Sequence, residues 1–232
     1  MSVRAGKMRR KLNALRTTLL LNGPMTLYEL QKALPYLTDG RPKLRRPPQS
    51  TIDTHLKILT RKTKELIVYK TEPHKSGRPK KYYGFTLYGF LRAFRIPRAV
   101  AKSNFGQIMR MWLPQEKFRF ILPKQEVVQS LDNKDVENSL ANLCQMIANS
   151  FSEAEDFLDY WEGRGYRESQ PSRIIQLAMS AAELKYGKLF IETSKTLCRF
   201  LPSYREGVRS FIQAQRSVLD LMEKELLGGF PQ

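Results

Sequence analysis

Apolar residues recur at helical spacing along nearly the whole of this chain, and one short stretch breaks the rule. Leu66 to Thr71 is rich in β-branched residues, and Lys80 to Phe85 is rich in Tyr. Between them Pro73 to Pro79 holds the Pro and Gly of a turn. Such runs flanking a turn read as paired strands, whereas spacings of three and four read as helix. The chain is therefore expected to be mainly α, with a single two-stranded β element in its first half.

Turn signals divide that first half. Met8 to Asn22 carries Leu12, Leu15 and Leu19 on one face and stops at Gly23-Pro24. Thr26 with Glu29 has the spacing of a capping box, opening a helix to about Leu34 that buries Leu27, Leu30 and Leu34. Residues 35–49 hold Pro35, Gly40, Pro42, Pro47 and Pro48 and must be a loop. Ser50 with Asp53 reads as a second capping box. The helix after it runs to about Lys64, with Ile52, Leu56 and Leu59 on one face and Thr51, Thr54, His55, Lys57, Ile58, Arg61 and Lys62 on the other. Thr86 reads as the N-cap of a further helix from Leu87.

Charge divides the chain as well. Residues 1–98 hold 23 Lys and Arg against 5 Asp and Glu, whereas residues 99–232 hold 17 of each. The whole net charge of +18 lies in the first part. A basic patch confined to one segment is the electrostatic footprint of a polyanion partner, most often nucleic acid. The expected organisation is a DNA-binding domain over 1–95, a connector over 96–124 and a helical domain over 125–232.

The order helix, helix, helix, strand, turn, strand, helix resembles the winged helix-turn-helix family of DNA-binding domains. The run Gly77-Arg78-Pro79-Lys80-Lys81-Tyr82-Tyr83-Gly84-Phe85-Thr86-Leu87-Tyr88-Gly89 looks like the wing signature of PadR-like and related prokaryotic, often archaeal, transcriptional regulators. Phe85 stands where that signature usually has Leu, and loop 35–49 is longer than the family's usual connection. The resemblance covers roughly residues 8–95. It implies a fold class of winged helix followed by an all-helical domain, with helix 51–64 in the major groove. It makes Thr51, Thr54, His55 and Lys57 candidate base readers and Arg61 a phosphate contact, with Ser50 a further candidate DNA contact. In the wing, Arg78 is the candidate for a narrow A/T-rich minor groove, with Lys75, Lys80 and Lys81 on phosphates.

Gly-Arg-Pro-Lys occurs twice, at 40–43 and 77–80, and its core resembles an AT-hook. Arg41, Lys43, Arg45 and Arg46 therefore join the candidate contacts, although Gly-Pro turns flanked by Lys are also ordinary solvated turns. Arg9 and Arg10 read equally as a phosphate clamp or as a soluble helix end. Tyr82, Tyr83 and Phe85 fit a core better than a stacking platform for single strands.

The second half reads as helices over 135–151, from Ser152 to Gly163, from Pro171 to about Leu201 and over 204–227, with one more near 101–112. On the last, Val208, Ile212, Gln215, Leu219, Met222 and Leu226 follow a 4-3-4-3-4 spacing. That is a seam for a partner helix, in the same chain or in a second copy. A homodimer through these helices is expected, because helix-turn-helix regulators bind paired half-sites. Trp112, Tyr160, Trp161, Tyr166, Tyr186 and Cys198 are candidates to line an effector pocket or, equally, to pack.

No phosphate-binding loop, nucleophile elbow or zinc-protease motif occurs. His55 and His74 have no neighbouring carboxylates or thiolates of metal-site spacing, and Cys144 and Cys198 form no Cys-x-x-Cys pair. No apolar run approaches the ~20 residues of a membrane span. The expectation is a non-enzymatic, cytoplasmic, nucleoid-associated regulator of double-stranded DNA without cofactor, metal or membrane contact. An architectural, chromatin-like binder and a protein–protein adaptor with a DNA tether are the alternatives.

Overall fold

The structure, a computed structural model, describes residues 3–34, 47–73, 77, 79–95, 104–162 and 171–227; within these, the side chains of 3–10, 158–162, 171–172, 222 and 224–227 are not described. The described chain is mainly helical, with one small antiparallel sheet.

Helix α1 (Val3–Asn22) starts earlier than its apolar stripe. Leu15, Leu19 and Leu20 are buried, and the Gly23 N–H closes the helix on the Leu19 carbonyl at 2.9 Å. Strand β1 (Met25–Thr26) follows, then α2 (Leu27–Ala33). Thr26 ends the strand and caps the helix. Its hydroxyl accepts the Glu29 N–H, and the Glu29 carboxylate accepts the Thr26 N–H at 2.7 Å, so the expected box is formed.

The second box is not formed. Helix α3 (Gln49–Lys57) begins one residue before Ser50, on Pro48, with no side-chain cap. The Pro48 carbonyl accepts the N–H groups of Thr51 and Ile52, so Ser50 already lies inside the helix, too late to cap it. Asp53, freed from capping, pairs with Lys57 four residues on, at 2.6 Å. The helix then widens into a π turn, Ile58–Lys62, and Lys64 leaves it with a left-handed φ of 51°.

Strands β2 (Leu66–Glu72) and β3 (Lys80–Phe85) form the expected hairpin, and β1 adds a third strand in the order β1-β3-β2. A two-residue strand carries no periodicity to read, and its Thr26 is occupied as a cap. Register slips between Val68 and Lys70, opening a bulge at Tyr69. The Tyr69 ring covers Gly84, and its hydroxyl accepts the Lys117 N–H at 2.8 Å, tying the hairpin to the following segment.

Helix α4 (Leu87–Phe94) is capped by Thr86, whose hydroxyl accepts the Gly89 N–H at 3.1 Å. Gly89 crosses the Glu65 backbone so closely that an added Cβ would stand 2.0 Å from the Glu65 carbonyl oxygen. Beyond it lie α5 (Phe105–Trp112), α6 (Lys124–Ser130), α7 (Lys134–Asn149), α8 (Phe151–Glu162), α9 (Pro171–Phe200) and α10 (Pro202–Leu227). The sequence reading had no helix for α6, which is short and buries only Val127. Helix α9 is two rods joined at Gly187, whose φ of 37° and ψ of −104° are not helical.

One apolar core runs from Leu15 in α1 to Leu201, after α9. At its centre Phe85, Phe90, Phe94, Phe105, Trp112 and Phe118 meet edge-on or tilted. Trp112 is fully buried there, with its indole N–H on the Leu20 carbonyl at 3.2 Å, so packing is its role.

Charged groups are buried beside this core. Arg16 of α1 grips Glu65 with two hydrogen bonds of 2.6 and 2.7 Å. Arg92 of α4 lies 3.7 Å from the same carboxylate and donates to Glu155 of α8 at 2.9 Å. The Tyr88 hydroxyl donates to Glu155 at 2.9 Å and also meets Arg92. Burial pushes the Tyr88 hydroxyl far above its usual pKa, keeping it a neutral donor. This chain of partners fastens α1, the β2 entry, α4 and α8 to one another.

Candidate nucleic-acid interface

The surface that carries most of the sequence candidates is built on α3. Ile52, Leu56 and Leu59 anchor it in the core, and the opposite side presents Ser50, Thr54, Lys57 and Arg61, all exposed. These four recur at steps of four, three and four, so they form one row along the helix. The Thr54 hydroxyl donates to the Ser50 carbonyl at 2.8 Å, which leaves its oxygen lone pairs outward as acceptors. Thr51 is half-buried beside the row.

His55 is not in the row. Its side chain is only 6% exposed, and its position three residues after Ile52 places it on the apolar face. Burial lowers its pKa, the nearby Lys11 charge lowers it further, and a hydrogen bond with the Thr51 backbone opposes both. A neutral imidazole inside the helix contact is the result. The i, i+3, i+4 spacing of Ile52, His55 and Leu56 carries that signal in the sequence, but the polarity of His masks it.

The hairpin stands next to this row. Tyr83 of β3 is half-buried and lies within electrostatic range of Asp53 and Lys57 of α3. Burial is the main reason that its hydroxyl pKa is raised. Lys80 and Lys81 are exposed at the tip end of β3. Lys70 pairs with Glu72, which also accepts the Tyr82 hydroxyl at 3.0 Å. Those two partners hold the Glu72 carboxyl below its usual range, so it stays ionised and offsets Lys70. Phe85 is fully buried, Tyr82 and Tyr83 only partly.

Lys62 and Lys64 lengthen the basic surface at the α3 exit, both exposed. Sequence reasoning left them out of the site because the π turn, which redirects the last residues of the helix, has no simple pattern. Arg41, Lys43, Arg45, Arg46, Lys75 and Arg78 lie outside the described residues, as does the whole of the first Gly-Arg-Pro-Lys run. Arg9 and Arg10 belong to α1, and their side chains lie outside the description.

No family model, no curated protein and no solved structure matches this chain.

The local chemistry therefore bears the whole argument. Among the described residues no three His, Cys, Asp or Glu side chains gather as a metal site. No described helix is long and apolar enough to cross a membrane. Cys144 is fully buried, and desolvation pushes its thiol up to about 12, far from the reactive range. Cys198 is half-buried. Tyr160 and Trp161 belong to α8 with side chains outside the description, and Tyr166 lies outside the described residues. The arrangement on α3 and β3 offers hydroxyl acceptors flanked by cations on an outward face, with an apolar anchor behind.

Proposed function

We propose that this chain is a double-stranded DNA-binding transcriptional regulator. In this reading α2 and α3 act as a helix-turn-helix, α3 enters the major groove, and the β2–β3 hairpin is a wing on the adjacent minor groove and phosphates. The helical second half pairs two chains, so that two α3 helices meet a palindromic site, and the protein works in the nucleoid.

The observation that carries the reading is the exposed row Ser50, Thr54, Lys57 and Arg61, backed by the buried Ile52, Leu56 and Leu59, with Lys80 and Lys81 also exposed, on β3. It lies within the segment that holds the full +18 charge. A helix can present hydroxyls and cations to base edges and phosphates only if its other face is fixed. Thr54 in this reading approaches a base, and Arg61 holds the backbone.

The test is a fluorescence-anisotropy titration of the full chain against a random-sequence duplex pool at two salt concentrations, with the bound fraction sequenced. The expected result is salt-sensitive binding and an enriched motif with two-fold symmetry. Equal affinity for unrelated duplexes would make the protein an architectural binder instead, since a regulator favours its site by roughly 10³ or more. Absence of binding at low salt would refute a DNA role altogether. Arg61→Ala is expected to reduce the salt slope by about 1 on every duplex alike.

A further inference from the structure

Helix α10 leaves the body of the protein with its apolar residues in the open. From Phe211 to Leu221 every residue is exposed; Phe211 is 48%, Ile212 45%, Val218 52% and Leu219 62% exposed. Among the described residues, the start of the helix is the part that is held. Leu201 is buried before it, and the Tyr204 hydroxyl meets Ser194 of α9 at 2.9 Å. Val208, Phe211, Ile212, Gln215, Val218 and Leu219 fall on one side at steps of three and four, a stripe wide enough to bury against a second helix.

The charges on α10 identify that second helix. Arg205, Arg209, Arg216, Asp220 and Glu223 all project along the same flank of the stripe, the basic residues first and the acidic ones last. The other flank carries Gly207 and Ala214 over the same length. A two-fold axis perpendicular to a helix pair brings the same flank of both helices together and reverses their direction. A two-fold axis along the pair brings opposite flanks together. Only the first sets Arg205 beside Glu223 and Arg209 beside Asp220, in both copies at once. Both pairings are centred on Ala214–Gln215. The same centre sets Val208 level with Asp220 or Leu221 of the other copy and Phe211 level with Ser217 or Val218. Gln215 of each copy then lies within one residue of the axis, level with Gln213 or Ala214 of the other, and a polar residue in an apolar seam fixes register.

We infer that α10 pairs with the α10 of a second copy of this chain in antiparallel orientation, about a two-fold axis at Ala214–Gln215. This rests on the pairing of two chains in the function proposed above and gives it a geometry. The antiparallel arrangement also opposes the two helix dipoles. The intrachain contact of Glu206 with Arg209 at 2.9 Å is exposed on both sides and yields readily to a partner.

The experiment uses the full chain carrying Cys198→Ser, with single cysteines introduced on α10 and mild oxidation. Gln215→Cys is expected to form a disulfide-linked dimer readily. Val208→Cys alone is expected to stay monomeric on a reducing-agent-free gel, because its copies lie at opposite ends of the seam. Equal crosslinking of both variants would overturn the antiparallel assignment while leaving a dimer. Sedimentation of the unmodified chain as a monomer at every concentration would overturn pairing itself. A charge swap gives an independent reading. Arg209→Glu and Asp220→Arg are each expected to weaken the dimer about tenfold, and the double variant to recover it. Failure of the double variant to recover would remove the ion pairs from the proposal. None of these readouts involves DNA, so failure to bind DNA is seen separately, in the anisotropy titration.

Discussion

The Glu65 corner and the α10 arm treat their residues in opposite ways. At Glu65, charged side chains are buried and each has partners: Arg16 and Arg92 on the carboxylate, Glu155 and Tyr88 beyond. On α10, the apolar side chains of Phe211, Ile212, Val218 and Leu219 are about half exposed or more. A buried charge tolerates no loss, because removing one partner strands the other in low dielectric. An exposed leucine tolerates almost any change as far as the single chain is concerned. The first region is therefore bound to folding, and the second is free for an external partner.

The sharpest way to break this contrast is Glu65→Ala. It strips Arg16 of its carboxylate and leaves Arg92 with Glu155 alone, and a loss of about 3–5 kcal/mol is expected in urea denaturation. A loss under about 1 kcal/mol would mean that water reaches the corner. Gly89→Ala comes next. Its Cβ would collide with the Glu65 carbonyl at 2.0 Å, and overpacking against backbone costs about 1–3 kcal/mol or more. An unchanged melting temperature would show that α4 can slide away from residue 65.

A pH titration sharpens the same side. His55 has its folded pKa lowered, so the unfolded chain binds its proton more tightly than the folded one. The stability is therefore fully present above the ordinary His value of 6.5 and falls as pH drops below it, down to the lowered folded value. Replacing His55 with Gln is expected to flatten that part of the stability curve; persistence of the slope would assign it to another group. The smallest effect belongs to α10. Leu219→Ser is expected to change the single chain's stability by less than about 0.5 kcal/mol, measured by urea denaturation at high dilution. A large loss there would mean that α10 packs within its own chain.

Much of the fold could be read from residues. The helices announce themselves by apolar spacing and by prolines, and the Thr26 and Thr86 caps are local enough to need only three residues of context. The hairpin was legible for the same reason. What escaped depends on distant partners. Strand β1 exists because β3 offers it a ladder, and the Ser50 box fails because Pro48 starts the helix first. Glu65 looks like any surface carboxylate until Arg16, 49 residues earlier in the chain, closes on it. In the candidate interface, Thr54, Lys57 and Arg61 follow from the apolar face of α3, and His55 was misplaced because its polarity outweighed its position. Periodicity was the stronger guide there.

Gly187 has a mechanical consequence. Open space surrounds the position that its Cβ would take, so at the joint itself no side chain is packed against the bend, although both rods are anchored in the core by Ala178 and Leu197. A residue with a side chain disfavours a φ of 37° and would draw the two rods toward a common axis. The heading of α10, and with it the span between two chains joined through that helix, thus depends on this joint as well as on the contacts of Leu201 and Tyr204, as the angle of an elbow contributes to the reach of a forearm.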